Sequence, residues 1–113
     1  MIPEKLRPAL KDLVNELIKG NFAKLEADGR AGRLSAQDLK NRLSEYGRTF
    51  ITLPDVAFDQ GDTYTLMDGD GKSWGIDLDL WTAEEGRSDL TLQLTVRDTG
   101  TAIVAEIDDL HVL

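Results

Sequence analysis

Hydrophobic and polar positions alternate most regularly over residues 73–113. Trp74, Ile76, Leu78 and Leu80 fall on one parity and Gly75, Asp77, Asp79 and Trp81 on the other. Leu90, Leu92, Leu94 and Val96 repeat the pattern against Asp89, Thr91, Gln93, Thr95 and Arg97. A period of two sends successive side chains to opposite faces of a strand, so each run predicts a half-buried strand with one aliphatic face and one acidic face. Ala83-Glu84-Glu85-Gly86 and Asp98-Thr99-Gly100-Thr101 carry the residues that hairpin connections favour, and the three runs therefore form an antiparallel meander. In the last run Ile103, Ala105 and Ile107 share one parity while Val104 and Leu110 share the other. A bulge at Asp108-Asp109 would switch the faces there.

The first part of the chain has helical spacing instead. Leu6, Leu10, Leu13, Val14, Leu17 and Ile18 recur at three- and four-residue intervals, with Lys11, Asp12, Asn15, Glu16 and Lys19 off the stripe. Pro3 suits a first turn, whereas Pro8 would remove a bond to Glu4, which moves the regular helix to about residue 7 or 8. Gly20-Asn21 breaks or kinks the run before Phe22, Ala23 and Leu25 resume it as far as Asp28-Gly29. A second helix starts at a capping box, Ser35 with Asp38, and has Leu34 and Leu39 as its staple. Leu39, Leu43 and Tyr46 make its buried stripe and Gly47 its stop. Between the two, Gly29-Arg30-Ala31-Gly32-Arg33 is a connection; it lacks the preceding strand and the Lys-Ser/Thr of a phosphate loop.

Read together, these signals predict one α+β domain over residues 1–113. Helices at about 3–28 and 35–47 pack on one face of a curved antiparallel sheet of four to five strands. The strands lie within 49–53, 63–67, 73–82, 88–98 and 101–110. Val56, Ala57 and Phe58 are expected to cover an edge of the core. Asp68-Gly69-Asp70-Gly71 is expected as a tight turn; it resembles part of a calcium loop, but Asp79 stands at the twelfth position where that loop needs Glu.

Charge changes the picture on one side only. The net charge is −8, and it is unevenly spread: residues 1–50 hold ten Lys/Arg and seven Asp/Glu, residues 51–113 three and fourteen. Phosphate contacts need clustered cations, so nucleic acid is not the expected partner. An acidic surface draws basic partners and keeps a domain in solution. Cysteine is absent, which removes disulfides, thiolate metal sites and thiol nucleophiles. The segment MIPEKLRPAL lacks the apolar centre of a signal peptide and no run has membrane-spanning length, so a cytoplasmic protein without membrane contact is expected.

Candidate chemistry is sparse. No nucleophile elbow, Walker loop, His-Glu-x-x-His or dinucleotide fingerprint occurs, and no cofactor is expected. His111 is the only histidine, which rules out a multi-histidine metal site; with Asp109 two residues away it can form an Asp/His pair. Asp77 and Asp79 share a face with Trp81, flanked by Thr91 and Gln93, with Glu106 and Asp108 one strand further on. An indole among carboxylates is a suitable anchor for a protein partner.

The order helix, helix, antiparallel strands, with LIKGNFAKLEADG closing the first helix and IDDLHVL at the end of the last strand, resembles the cystatin-like roll of nuclear-transport-factor-like and ketosteroid-isomerase-like domains. Residues 74–113, with GRSDLTL and DDLHVL, also look like a small uncharacterised bacterial family. The resemblance implies a curved sheet wrapping a helix around a cone-shaped pocket. Domains of that shape serve as enzymes, ligand binders, dimerisation modules and immunity proteins, so it implies no single activity. The catalytic Tyr/Asp arrangement of the isomerases has no counterpart around Tyr46 or Tyr64.

The leading expectation is a non-catalytic binding module. Its acidic face, with Asp77, Asp79, Trp81, Glu106 and Asp108, would meet a basic protein partner, as a toxin-neutralising immunity protein does, or a second copy of the chain. The alternative is a hydrophobic-ligand binder or enzyme whose pocket between helix and sheet gathers Tyr46, Asp109 and His111. A structural domain of a larger assembly is a third reading.

Overall fold

A computed structural model describes residues 1–66 and 72–113; the Asp68–Gly71 turn expected above lies outside them. The chain is α+β, with N-terminal helices packed against an open antiparallel sheet of five strands. Its helices are α1 (Arg7–Ile18), α2 (Phe22–Ala27), α3 (Ala36–Tyr46) and α4 (Asp55–Gln60). Its strands are β1 (Phe50–Ile51), β2 (Asp62–Thr65), β3 (Ser73–Thr82), β4 (Gly86–Asp98) and β5 (Ile103–Val112). The sheet runs β1-β3-β4-β5, with β2 also paired to β3 on the side of β1.

The helix expected over residues 3–28 is three pieces. Glu4–Leu6 is a 3-10 turn, and α1 begins at Arg7, which leaves Pro8 in the first turn where its missing N–H costs nothing. At its other end Gly20 takes φ +82°. The Gly20 N–H bonds to Leu17 O at 3.2 Å and the Asn21 N–H to Glu16 O at 3.0 Å, the paired bonds of a Schellman stop. The same device ends α2: Gly29 N–H bonds to Glu26 O and Arg30 N–H to Leu25 O. Gly20 thus divides one apolar stripe between α1 and α2, and Gly29 ends α2.

The capping box forms as expected. Ser35 Oγ accepts the Asp38 N–H at 3.0 Å, and the Asp38 carboxylate accepts the Ser35 N–H at 3.0 Å. These bonds hold the exposed Asp38 carboxyl below the usual carboxylate range. The segment after Pro54 differs from expectation: it is the helix α4, which buries Ala57 and Phe58. Six residues are too few to show a helical period, so the run carried no legible signal.

The two-residue periodicity of β3 and β4 translates directly into faces. Ile76 pairs with Leu94 and Leu78 with Leu92, and all four are buried in one core with Leu10, Leu13, Val14 and Leu17 of α1. At about 25 cal/mol per Å² of apolar area removed from water, this aliphatic layer is the main source of stability. Asp77 and Asp79 lie on the opposite, outer face, half-exposed. The β5 bulge is also present: Leu94 pairs with Ile107 but Gln93 with Asp109, leaving Asp108 as the extra residue. It lets Ile107 and Leu110 both reach the core despite their opposite parity.

Candidate functional site

The outer face of β3 carries a cleft of about 270 Å³. Its floor is Asp77, Asp79 and Trp81 from β3 with Arg87, Asp89 and Thr91 from β4; its wall is Ala57, Gln60 and Gly61 at the end of α4, followed by Asp62. Asp62 is the direct cross-strand partner of Asp77, so two carboxylate-bearing residues sit opposite each other at one end. Like charges directly opposite each other cost stability. Across the sheet Asp79 pairs with Thr91 and Trp81 with Arg87; β4 thus spends three residues, Ser88 to Leu90, against the single Leu80. This irregularity brings Arg87 and Asp89 into the cleft.

The two expected carboxylates differ. Asp79 accepts from Arg87 Nε at 2.8 Å and from the Thr91 hydroxyl at 2.6 Å, and is therefore neutralised inside the chain. Among the described residues Asp77 has only longer contacts, from the Tyr64 hydroxyl at 3.3 Å and Gln93 Nε2 at 3.4 Å. Tyr64 lies over Gly75, where any Cβ would collide with its ring. Partial burial and the nearby Asp77, Asp108 and Asp62 push its hydroxyl pKa up, so the phenol stays protonated and donates. Along β3 the outer face therefore reads Tyr64 over Gly75, then Asp77, Asp79 and Trp81. The indole of Trp81 is half-buried beside Gly86.

Glu106 and Asp108 share this outer face without lining the cleft. Asp108 accepts the Thr95 hydroxyl at 2.7 Å, and Glu106 lies against Gly32 at the sheet edge. The five residues expected to act together are thus split into a cleft on β3 and a separate acidic pair on β5. Thr91 stands beside Asp79 as expected, whereas Asp62, Arg87 and Asp89 escaped sequence reasoning as cleft residues, because their convergence depends on cross-strand register.

Tyr46, Asp109 and His111 do not form one pocket between helix and sheet: Asp109 and His111 stand opposite Gln93 and Thr91, on the outer face at the β5 edge, and only His111 shares a groove with Tyr46. A groove of about 200 Å³ between α3 and the end of β5 is lined by Arg42, Glu45, Tyr46, Leu90, Leu110 and His111. Asp109 stands behind it and binds His111 Nδ1 at 2.9 Å, Arg33 at 3.2 Å and Arg42 at 3.8 Å. Partial burial works against the Asp109 charge, but the Leu110 N–H, His111 and Arg33 outweigh it and hold its pKa below the usual value. The Tyr46 hydroxyl turns to the β3–β4 hairpin, donating to Glu85 at 2.9 Å and accepting the Asp89 N–H at 3.1 Å. It positions α3 on the sheet, while the space between helices and sheet is filled by aliphatic side chains.

Among the described residues no group of three or more His, Cys, Asp or Glu could hold a metal ion, and no helix is long and apolar enough to cross a membrane. The chain belongs to a family described as a domain of unknown function, DUF7668, whose pattern matches residues 14–113. No curated protein and no solved structure matches it.

Proposed function

We propose that this domain is a non-catalytic binding module whose outer sheet face docks a basic protein partner, with Asp77 and Trp81 at the centre of the contact. The observation that carries this reading is the cleft composition: Asp62, Asp77, Asp79 and Asp89 converge beside an indole, and Arg87 is the one cation among the lining residues. A guanidinium or ammonium entering there gains a carboxylate with weak internal bonds and an aromatic face, the pair that anchors cationic side chains. Glu106 and Asp108 extend the same potential across the sheet and would speed encounter rather than anchor the partner.

A toxin-neutralising, immunity-type protein is the concrete form this takes, and the cysteine-free composition supports a cytoplasmic place of action. The order of helices before an antiparallel meander supports a cystatin-like roll. The test is titration of an oligo-arginine peptide, followed by tryptophan fluorescence in a Trp74→Phe background so that Trp81 alone reports. Trp81→Ala, read by calorimetry, and Asp77→Lys should each weaken binding by about 30-fold, the loss expected at a central contact. Unchanged affinity in both variants would remove the proposal.

A further inference from the structure

The edge of the sheet opposite β1 is β5, and part of it is open. The direction of its backbone groups follows from the hairpin: the Thr99 N–H bonds to Ala102 O at 2.9 Å, and the ladder continues with Arg97 opposite Val104 and Thr95 opposite Glu106. Hydrogen-bonded pairs alternate in an antiparallel ladder, so Val104 and Glu106 bond to β4 while Ile103, Ala105 and Ile107 turn their N–H and C=O away from it. The Ile107 N–H is covered by Arg30 O at 2.8 Å, and Arg42 reaches Leu110 O at 3.1 Å. No hydrogen bond to the outward groups of Ile103 or Ala105 is found among the described residues. Ile103, Val104 and Ala105 line a groove of about 300 Å³ walled by Ala9, Asp12, Asp28 and Arg30; Val104 is 46% exposed, and Ala105, at the bottom of the groove, 4%.

An edge whose outward groups lack hydrogen bonds and line a groove is a template for another strand, and natural edges are normally blunted by a charge, a proline or a covering loop. Here the loop at Arg30 covers Ile107 and stops there. We propose that Ile103–Ala105 is a homodimer contact, pairing antiparallel with the same residues of a second copy about a two-fold axis through Val104. In that register Ile103 exchanges both backbone bonds with the partner subunit's Ala105, and symmetry repeats the exchange, so every outward group is satisfied. The two Val104 side chains meet at the closely spaced, non-hydrogen-bonded position. Charge favours this edge over the acidic face as a self-contact: Arg30 binds Asp12 and Asp28 at 2.8 Å each, whereas two acidic faces repel. The Glu106 carboxylates fall four positions apart along the paired strands, about 13 Å at strand rise, where salt screens them.

Sedimentation over a concentration series should show a monomer that becomes a dimer as concentration rises. Ala105→Pro deletes an N–H that the internal ladder does not use, a position where an edge strand tolerates proline. It removes two intersubunit bonds and should weaken the dimer about tenfold or more. Because the chain has no cysteine, Val104→Cys supplies a second measure that stays close to the native side chain. Across the two-fold its thiols lie within disulfide reach and should oxidise to a covalent dimer much faster than those of Val112→Cys, a comparably exposed control. A wild-type chain that stays monomeric throughout, or equal cross-linking of the two cysteine variants, overturns the proposal. So does a dimer abolished by Asp77→Lys with Val104→Cys cross-linking no faster than the control.

Discussion

Arg87 holds Asp79: the guanidinium Nε lies 2.8 Å from the carboxylate, between cross-strand neighbours of a β4 segment that carries two residues more than β3 opposite it. Of the two carboxylates on the outer face of β3, one is therefore occupied from within. Arg87 is half-exposed, so the pair adds little to stability, on the order of 0–1 kcal/mol, and its consequence is chiefly for binding. Arg87→Ala frees Asp79 and removes the cation from the cleft. The oligo-arginine peptide should then bind several-fold more tightly, while the melting temperature hardly moves. Weaker binding by the variant would mean that Arg87 serves the contact itself.

Two glycines of the same loop should respond differently to substitution. Gly29 and Gly32 both have positive φ, +77° and +61°. A Cβ at Gly29 meets open space, so Gly29→Ala should cost about 1–2 kcal/mol, the price of a left-handed alanine alone. A Cβ at Gly32 collides with the Ile107 backbone carbonyl, which cannot swing away. Gly32→Ala should therefore be clearly the more destabilising in urea denaturation. Because the loop covers Ile107, it should also lift Arg30 O from the edge and expose the Ile107 amide to hydrogen exchange.

Asp109 predicts a pH dependence with a definite sign. Its native pKa is depressed below the ordinary 3.8, so the unfolded chain takes up this proton at higher pH than the folded chain does. The carboxylate thus contributes stability that is fully present above the ordinary value and is lost as pH falls through the native one. Stability measured by urea between pH 6 and pH 2 should decline at the acid end, and Asp109→Asn should decline less steeply. Asn also leaves Arg33 and Arg42 without their carboxylate, so the variant starts lower at neutral pH. Parallel curves for the two proteins would assign the acid loss to other carboxyls.

The cross-strand pair Leu78 and Leu92 lies at the centre of the buried face, and neither side chain has any exposure. Leu78→Ala removes three carbons from a site where both sheet neighbours and α1 limit collapse. A loss of about 2–5 kcal/mol is expected by thermal or urea unfolding. Asp77→Ala, one residue away on the outer face, should change stability by less than about 0.5 kcal/mol. Comparable losses at both positions would contradict the assignment of faces.

Much of this arrangement could be read along the chain, and for a common reason. The faces of β3 and β4, the Ser35–Asp38 box and the parity switch at Asp108 all rest on neighbours within a few residues. Local sterics and side-chain periodicity act over that range, so Asp77, Asp79 and Trp81 could be grouped before any fold was known. Gly20 is legible as a break or kink and Gly29 as an end, but only the bonds from Asn21 to Glu16 and from Arg30 to Leu25 show that each closes a separate helix. The site's remaining members depended on distant parts of the chain: Asp62 arrives through β2, Arg87 and Asp89 through the extra residues of β4, and the wall through α4. Glu106 and Asp108, expected with them, stand apart because β4 separates β5 from β3. Periodicity says which way a side chain points; pairing register, set by packing between residues far apart in sequence, says what it points at.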